Sequence, residues 1–476
     1  MINSKDLIEP RAFRSIAIIG IGLYVLSLAI ISIAFRHYAL KPLWMIWGIG
    51  EVLVFFTLSW FFGAVWPDGS EKAFRRKLFW TALGIRALYA FLMCYYYYYQ
   101  TGIPFEYDAA DSLMYHRTSL YFSRLLRHGE LATLYHELIT DTMGFSDRGY
   151  EIWLTLIYAV FGRNILVPRL FKALMSAYMC VAVYKLASRT FDERAGRLSG
   201  VFCLFMPVFI YYVGVHLKET ELVFLTVLAL ERMDYLIRSR KYTFWNIFLP
   251  ILLTAFTFGL RTIVGMCLLF AFFVFVLLSD SLLVSRKKKI ALILSTAVVF
   301  LLFLFTPIGK EMRIVYRLKF TDLTYHKEQF QQKGMKHAEL VQSKYLAPGI
   351  FVLPLTSMVE PANNNKKMMN GGHYVKNYLA FFALFAIVLA FRQREWRGFS
   401  LVGAFTLSYL LIIAFSFAVN IERYHLPTLP LLLVMGAYAM VNLQKRDLKF
   451  FYAYCVVLLV AIFMANYLKL SSSSLV

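Results

Sequence analysis

Apolar residues recur along this chain of 476 residues in runs close to 20 residues long, with polar segments between them. A helix needs about 20 residues to cross the roughly 30 Å of membrane hydrocarbon. About 13 runs approach this length, and each predicts a membrane-spanning helix. The predicted spans cover residues 16–35, 43–65, 78–98, 165–187, 198–216, 219–236, 245–259, 262–279, 290–307, 376–391, 399–417, 427–443 and 450–467. The pattern therefore predicts an all-α integral membrane protein.

Two long segments without predicted spans interrupt this series, at residues 99–164 and 308–375. The first contains an apolar stretch, residues 150–161, which is too short to cross a membrane and predicts a helix on the membrane surface. With that assignment, both long segments lie on the extracytoplasmic face. The loops on the other face are too short to build a site, so we expect the chemistry on the outer face.

Composition supports a membrane protein and excludes a soluble one. Hydrophobic residues make up 60% of the chain, aromatic residues make up 17%, and the mean hydropathy is +0.61. Lipid must therefore solvate much of the surface, because no soluble core of this size could bury so many apolar residues. The five cysteines fall in apolar runs without paired spacing, which predicts neither a disulfide framework nor a zinc site.

The formal net charge of +22 is concentrated in clusters between apolar runs. These clusters are Arg75-Arg76-Lys77, Arg238 to Lys241, Arg286 to Lys289 and Lys445-Arg446. Cytoplasmic loops of membrane proteins carry an excess of Lys and Arg. One threading, with the N-terminus cytoplasmic and the C-terminus extracytoplasmic, places every cluster in the cytoplasm. The charge then indicates topology, and nucleic acid is excluded as a partner.

An acidic motif follows the third predicted span, with Glu106, Asp108 and Asp111 just before Tyr115 and His116. On a helix, Asp108, Asp111 and Tyr115 would share one face because of their spacing. A carboxylate at the mouth of a membrane cavity can act as a general base toward a hydroxyl or amine. The structural alternative makes Asp108 a helix N-cap and places Asp111 in the first turn.

Several cations fall in short loops that the topology places outside, where Lys and Arg are normally scarce. These loops contain Lys218 with Glu219, Arg261, and Arg423 with Tyr424 and His425. Cations near the membrane surface suit the binding of phosphate, which Arg can hold with two hydrogen bonds. The structural alternatives are interaction with lipid headgroups and, for Lys218 and Glu219, an ordinary ion pair.

These segments resemble the GT-C superfamily of polytopic glycosyltransferases, which includes protein O-mannosyltransferases and bacterial lipid A aminoarabinose transferases. The similarity covers about residues 78–440. It comprises the acidic motif, residues 149–162 and 168–174, the Lys218-Glu219 turn, and Arg423 to Pro430. The order and spacing of these motifs are more specific than any one of them.

The resemblance implies an inverting transfer of a sugar from a polyprenyl-phosphate donor to a lipid- or protein-linked acceptor. Asp111 or Asp108 would be the catalytic base. Substrate contacts would come from Glu106, Tyr115, His116, Lys218, Glu219, Arg261, Arg423, Tyr424 and His425. A divalent ion, Mg²⁺ or Mn²⁺, is a cofactor candidate that Asp108 and Asp111 would hold. A bacterial plasma (inner) membrane is the expected location.

The chain departs from the pattern of the superfamily in two respects. Its acidic motif is D-x-x-D rather than adjacent Asp-Glu or D-x-D, which leaves open which carboxylate is the base and whether a metal takes part. It also carries an extra N-terminal hairpin. The predicted organisation is this hairpin (1–66), a catalytic transmembrane domain (67–443), and a final helix with a short tail (444–476).

Two other functions remain open at this stage. An O-antigen polymerase or ligase would rely on cations in the later outer segment, such as Arg313, Arg317 or His326. A transporter or flippase of lipid-linked glycans would need ionisable residues near the middle of its spans. The charged residues of the clearest spans cluster at their ends instead.

Overall fold

The computed structural model describes residues 10–65, 69–140, 148–278, 349–360, 364–393, 396–415 and 421–473, together with residues 305 and 309. Within these ranges the structure is helical, and the only β pairing is a single bridge between Ala39 and Val359. Eight helices there are long and apolar enough to cross a membrane, or nine if a bent pair counts as one span. The predicted all-α integral membrane fold is confirmed. Apart from residue 305, the predicted span 290–307 lies outside the described residues.

The helices follow the predicted apolar runs closely. They are α1 (Pro10–Ala34), α2 (Pro42–Val65), α3 (Glu71–Thr101), α4 (Ala110–His128), α5 (Leu131–Thr140), α6 (Arg148–Phe161), α7 (Leu166–Thr190), α8 (Glu193–Phe205), α9 (Pro207–Gly214), α10 (Glu219–Ser239), α11 (Phe244–Leu260), α12 (Thr262–Leu278), α13 (Asn370–Arg392), α14 (Trp396–Ala414), α15 (Leu429–Val441) and α16 (Leu448–Ser473). Two short helices, Asn364–Lys367 and Glu422–His425, precede α13 and α15.

Local sequence explains where these helices begin and end. The Ser70 side chain accepts a hydrogen bond from the Ala73 amide and caps α3, and Gly102 ends that helix with a left-handed φ of 74°. The predicted span 198–216 is two helices, α8 and α9, bent by 44°. Pro207 begins α9, where proline is tolerated because the first helical residues need no intrahelical donor.

One end of the bundle is covered by α4, α5 and α6, and we call it the α4–α6 end. The loop after α3 meets the start of α7 there, since Arg169 Nη2 donates to the Pro104 carbonyl at 2.6 Å. The turn between α9 and α10 meets the junction of α11 and α12, where Lys218 Nζ donates to the Leu260 carbonyl at 3.0 Å. Residues far apart in sequence therefore converge at this end.

Three of the four basic clusters lie at the opposite end of the bundle. The first turns of α3, the last turn of α10 and the start of α16 carry them. Arg238, for example, donates to the Gly398 carbonyl at 2.8 Å and pairs with Asp234 at 2.5 Å. The fourth cluster, residues 286–289, lies outside the described residues. The described clusters therefore share one end, as the predicted topology requires.

The surface helix predicted at residues 150–161 corresponds to α6. It packs on α4, where Ser119 Oγ donates to the Glu151 carbonyl at 3.1 Å. It also approaches the end of α11 very closely. A Cβ atom added at Gly149 would lie 2.8 Å from the carbonyl carbon and oxygen of Gly259, so a glycine is needed for this contact.

Candidate functional site

The centre of the site is an ion pair between the acidic motif and a late segment of the chain. Arg423 Nη1 donates to Asp111 Oδ2 at 2.6 Å, across 312 residues of sequence. The side chains are 37% and 47% exposed, so a ligand can reach both. Asp111 stands in the first turn of α4, where the helix dipole favours its negative charge.

Asp108 stands apart from this helix. Its φ of 52° is left-handed, a conformation that Asp adopts more readily than most residues, and its side chain is exposed. The N-cap of α4 is Ala109, without a side-chain cap. The structural alternative that made Asp108 the N-cap is therefore wrong, and so is the expectation that Asp108 shares a helical face with Asp111 and Tyr115.

A second cation, Arg261, lies beside Arg423. The Arg261 guanidinium is 4.6 Å from the centre of the Tyr424 ring, and the Arg423 guanidinium is 5.7 Å from the same ring. Arg261 Nη2 lies 3.7 Å from Glu219 Oε1. Both guanidinium groups therefore lie within cation–π distance of the same ring.

Lys218 occupies the turn before α10 and is 5% exposed. Burial, and next the nearby Arg261 charge, lowers the pKa of Lys218 to about 7. Its ammonium group can therefore lose its proton near neutral pH. A bound anion would restore the charged form, because an opposite charge favours it.

Glu106 is buried and connects the start of α4, which carries Asp111, to the turn that carries Lys218. It is 4% exposed, Oε1 accepts a hydrogen bond from Ser112 Oγ, and Oε2 accepts one from the His216 amide at 3.3 Å. Ser112 follows Asp111, and His216 lies two residues before Lys218. Because both carboxylate oxygens already bind the protein, we expect Glu106 to position the site rather than contact substrate.

Two buried histidines, His116 and His216, lie next to Glu106 and its partners. His116 Nδ1 and His216 Nε2 lie 2.8 and 3.1 Å from the Tyr158 hydroxyl, which stands between them. Burial lowers the pKa of His116 to about 4 and the pKa of His216 well below its ordinary value. Both imidazoles are therefore neutral at pH 7. One accepts a hydrogen bond from Tyr158 and the other donates to it.

The structure also brings interior cations to this end that sequence analysis did not assign. Arg169 and Lys172, both on α7, are fully buried. Lys172 Nζ donates to the Val215 carbonyl at 2.9 Å and lies 3.9 Å from Glu221 Oε2. These contacts fix the turn that carries Lys218. The spacing of the two cations by three residues, in a motif already noted, was the available signal.

The remaining predicted residues have interior positions. Tyr115 is 7% exposed and packs edge-on against Tyr150, with ring centres 5.0 Å apart. His425 is 2% exposed, in the segment that follows Arg423. Both side chains are therefore buried next to the partly exposed Asp111–Arg423 pair and support it by packing. Arg313, Arg317 and His326 lie outside the described residues.

No cluster of three or more His, Cys, Asp or Glu side chains in the described part of the chain could hold a metal ion. The carboxylate of Asp111 is engaged by Arg423, and Asp108 stands outside the helix that carries Asp111. The role of Asp108 and Asp111 as metal ligands stays a prediction. The arrangement offers an anionic group the partly exposed Arg423, with the buried cations Lys218 and Arg261 nearby, next to a carboxylate able to accept a proton.

A model of the dolichyl-phosphate-mannose-protein mannosyltransferase family matches residues 149–308, about a third of the chain. That family is of GT-C type. The predicted resemblance to the GT-C superfamily is thereby confirmed. The matched residues 149–308 include Lys218, Glu219 and Arg261. Asp111 lies before them in the sequence and Arg423 lies after them. No curated protein matches the chain. The match supports a membrane glycosyltransferase as the class of protein.

Proposed function

We propose that the chain transfers a sugar from a polyprenyl-phosphate donor to a lipid- or protein-linked acceptor at the extracytoplasmic face of a bacterial plasma membrane. The observation that carries this proposal is the contact between Asp111 and Arg423. It brings a candidate base against a candidate phosphate ligand, beside two further cations. The family match supports the class of reaction.

Orientation follows from charge. The described basic clusters share the end of the bundle opposite the Asp111–Arg423 pair, and Lys- and Arg-rich loops remain in the cytoplasm. The α4–α6 end then faces outward, the N-terminus is cytoplasmic and the C-terminus is extracytoplasmic. A polyprenyl-phosphate donor suits this location, because its lipid lies in the membrane and its phosphate lies at the surface.

Donor binding would rearrange the central ion pair. Without a ligand, the guanidinium of Arg423 pairs with Asp111. A donor phosphate carries a full negative charge and would compete for Arg423, together with Lys218 and Arg261. Arg423 would then release one Asp111 oxygen. Donor binding thereby exposes the base only when a substrate is present.

The transfer itself needs one base and one anion site. The acceptor oxygen or nitrogen attacks C1 of the sugar from the side opposite the phosphate, and its proton passes to the Asp111 carboxylate. The bond between C1 and the phosphate oxygen breaks, and the polyprenyl phosphate leaves with the electron pair. Configuration at C1 is inverted. The three cations would stabilise the charge that grows on the departing phosphate.

The test uses purified protein in lipid nanodiscs, incubated with a panel of polyprenyl-phosphate sugars and candidate acceptors. Acceptor-dependent release of free polyprenyl phosphate is the expected result. Asp111→Asn should lower it by about a hundredfold or more. Glu137→Gln, which neutralises an exposed carboxylate on α5, should leave it unchanged. Folded wild-type protein that releases no lipid phosphate from any donor would contradict the proposal.

A further inference from the structure

The N-terminal hairpin places a carboxylate against the beginning of another helix. Glu51, on α2, accepts hydrogen bonds at Oε2 from the amides of Gly371 at 2.8 Å and Gly372 at 3.3 Å. These amides belong to the first turn of α13 and have no acceptor within their own helix. Glu51 therefore caps α13 from a distant part of the chain.

The two helices meet closely enough to make this contact specific. A Cβ atom added at Gly371 would lie 2.5 Å from the Gly48 carbonyl oxygen and 2.7 Å from Glu51 Cβ. One turn earlier on α2, Trp47 Nε1 donates to the Met368 carbonyl at 3.1 Å. The hairpin thus binds residues 368–372 at two points, through side chains on one face of α2.

The chain at the start of α13 contacts residues near both partners of the central ion pair in sequence. We call residues 364–372 the bridging segment. Asn365 Nδ2 donates to the carbonyl of Tyr107, the residue before Asp108 in the acidic motif. Lys366 Nζ lies 3.4 Å from Glu422 Oε1, and Glu422 precedes Arg423. The bridging segment is therefore attached to the hairpin on one side and to the site on the other.

We infer that Glu51 is a positioning residue of the site. By holding the first turn of α13, it fixes the bridging segment, and through Asn365 and Lys366 it sets the position of Arg423 relative to Asp111. The expected effect on the donor KM rests on the proposed glycosyltransferase function, whereas the expected effect on the position of Arg423 does not. The hairpin, which lies outside the family resemblance, thereby becomes part of the catalytic apparatus.

The hydrogen bonds of Glu51 indicate that this residue positions α13 and does not merely fill space between the helices. A carboxylate is costly to place within a membrane span, so an apolar residue would serve better if α2 only filled space. One Glu51 oxygen instead accepts from two successive amides. A glutamine at this position would retain a carbonyl oxygen that can accept these bonds, whereas an alanine would not. Glu51→Gln should therefore recover part of what Glu51→Ala loses.

The test compares wild type, Glu51→Ala, Glu51→Gln and the control Ser59→Ala in nanodiscs. Ser59 is buried two turns farther along α2, and its hydroxyl has no hydrogen-bond partner among the described residues. Amide hydrogen exchange is followed at residues 370–373, which Glu51 contacts, and at residues 422–425, which it does not touch. The KM for the donor and kcat are measured in parallel.

For Glu51→Ala we expect exchange to accelerate about tenfold at residues 370–373 and also to rise at residues 422–425. The donor KM should increase by about tenfold with a smaller change in kcat, because Arg423 is displaced as a phosphate ligand. Glu51→Gln should fall between Glu51→Ala and wild type, and Ser59→Ala should match wild type.

Acceleration confined to residues 370–373, with an unchanged donor KM, would overturn the inference and leave Glu51 as a local helix cap. If Glu51→Ala does not fold, Glu51→Leu decides, because leucine fills the space of Glu51 but accepts no hydrogen bond. Exchange at residues 422–425 no faster than in wild type would then overturn the inference. If wild type itself turns over no donor, the proposed function fails, while the exchange data still decide whether Glu51 positions Arg423.

Discussion

Asp111 and Asp108 differ in surroundings more than their spacing suggests. Asp111 stands on a helix and contacts Arg423, whereas Asp108 is exposed with a left-handed backbone. General bases contribute about 10²- to 10⁴-fold to rates. We expect Asp111→Asn to lower kcat by about that factor, and Asp108→Asn to retain activity within about tenfold. Rates of lipid-phosphate release at saturating donor, with thermal melting as a folding control, provide the measurement.

The reverse order of the two variants would exchange the assignment, making Asp108 the base. Equal loss in both would instead indicate that the carboxylates act together, for example on a shared metal ion. Adding EDTA to the wild-type protein distinguishes that case. Loss of activity with EDTA and recovery with Mg²⁺ or Mn²⁺ would establish the metal requirement.

Lys218 should give the reaction a characteristic pH dependence. Its pKa is lowered to about 7, so the free protein carries this cation below pH 7 and loses it above. The donor phosphodiester stays charged across this range. We therefore expect kcat/KM for the donor to fall by up to about tenfold per pH unit above 7. Lys218→Arg should remove this decline, because arginine stays protonated.

The control for this experiment is kcat at saturating donor. A bound phosphate raises the pKa of Lys218, so kcat should decline at higher pH than kcat/KM. A profile of kcat/KM for the donor that is flat between pH 6 and 9 in the wild type would show that Lys218 does not bind the donor as a cation.

At the residue scale, sequence analysis could predict the cationic motifs because short extracytoplasmic loops contain few Lys and Arg residues. The acidic motif was visible because three carboxylates fall within residues 106–111. It assigned these charges to one site, but it could not predict which of them are in contact. The contact between Asp111 and Arg423 spans 312 residues, and no local pattern encodes it. The burial of Arg169 and Lys172 could not be predicted either. A cation near the end of a span can be buried or can reach toward lipid headgroups, and its local sequence is the same in both cases.

Helix α6 offers a test of packing at the scale of elements. It rests on the end of α11 through Gly149, whose added Cβ would meet the Gly259 carbonyl at 2.8 Å. A Cβ added at Gly259 would lie 3.6 Å from Gly149 Cα, an ordinary contact. Gly149→Ala should therefore displace α6 and lower stability by about 1–3 kcal/mol, as overpacking does.

Gly259→Ala is the matched control, since it adds the same methyl group to the other side of the same contact. Thermal melting of both variants in nanodiscs should show a marked loss for Gly149→Ala and little change for Gly259→Ala. Equal melting temperatures would mean that α6 can move away from α11 at little cost, and that its position does not depend on this glycine.

At this scale the apolar pattern predicted most helices, because a span must be apolar along its whole length. It missed the break between α8 and α9. Pro207 was visible, but an apolar run continues through it, and hydropathy does not report a bend. The start of α4 was also misjudged. A D-x-x-D sequence suits a helix start, yet the structure gives the cap position to Ala109.

Topology is the prediction that belongs to the whole molecule. Lys241 is exposed at the opposite end of the bundle, and Glu137 is exposed on α5 at the α4–α6 end. In a background with Cys94 replaced by serine, Lys241→Cys should react with an impermeant thiol reagent only after the membrane is opened. Glu137→Cys should react in intact cells. The four other cysteines are buried.

The reverse pattern of labelling would place the site in the cytoplasm and exclude a donor presented from outside. Labelling of both positions in intact cells would indicate that the threading itself is wrong. Labelling of a cysteine at position 445, which the same threading places in the cytoplasm, is a further check on the last span.

The ion pair between Asp111 and Arg423 has a consequence for biosynthesis. Arg423 leaves the ribosome 312 residues after Asp111, long after the helix bearing Asp111 has been made. A half-made chain therefore lacks the pair, and under the proposed mechanism it would not consume donor. Ribosomes that stall, or messages that end early, yield products without this chemistry, so the cell is protected from incomplete copies of the protein.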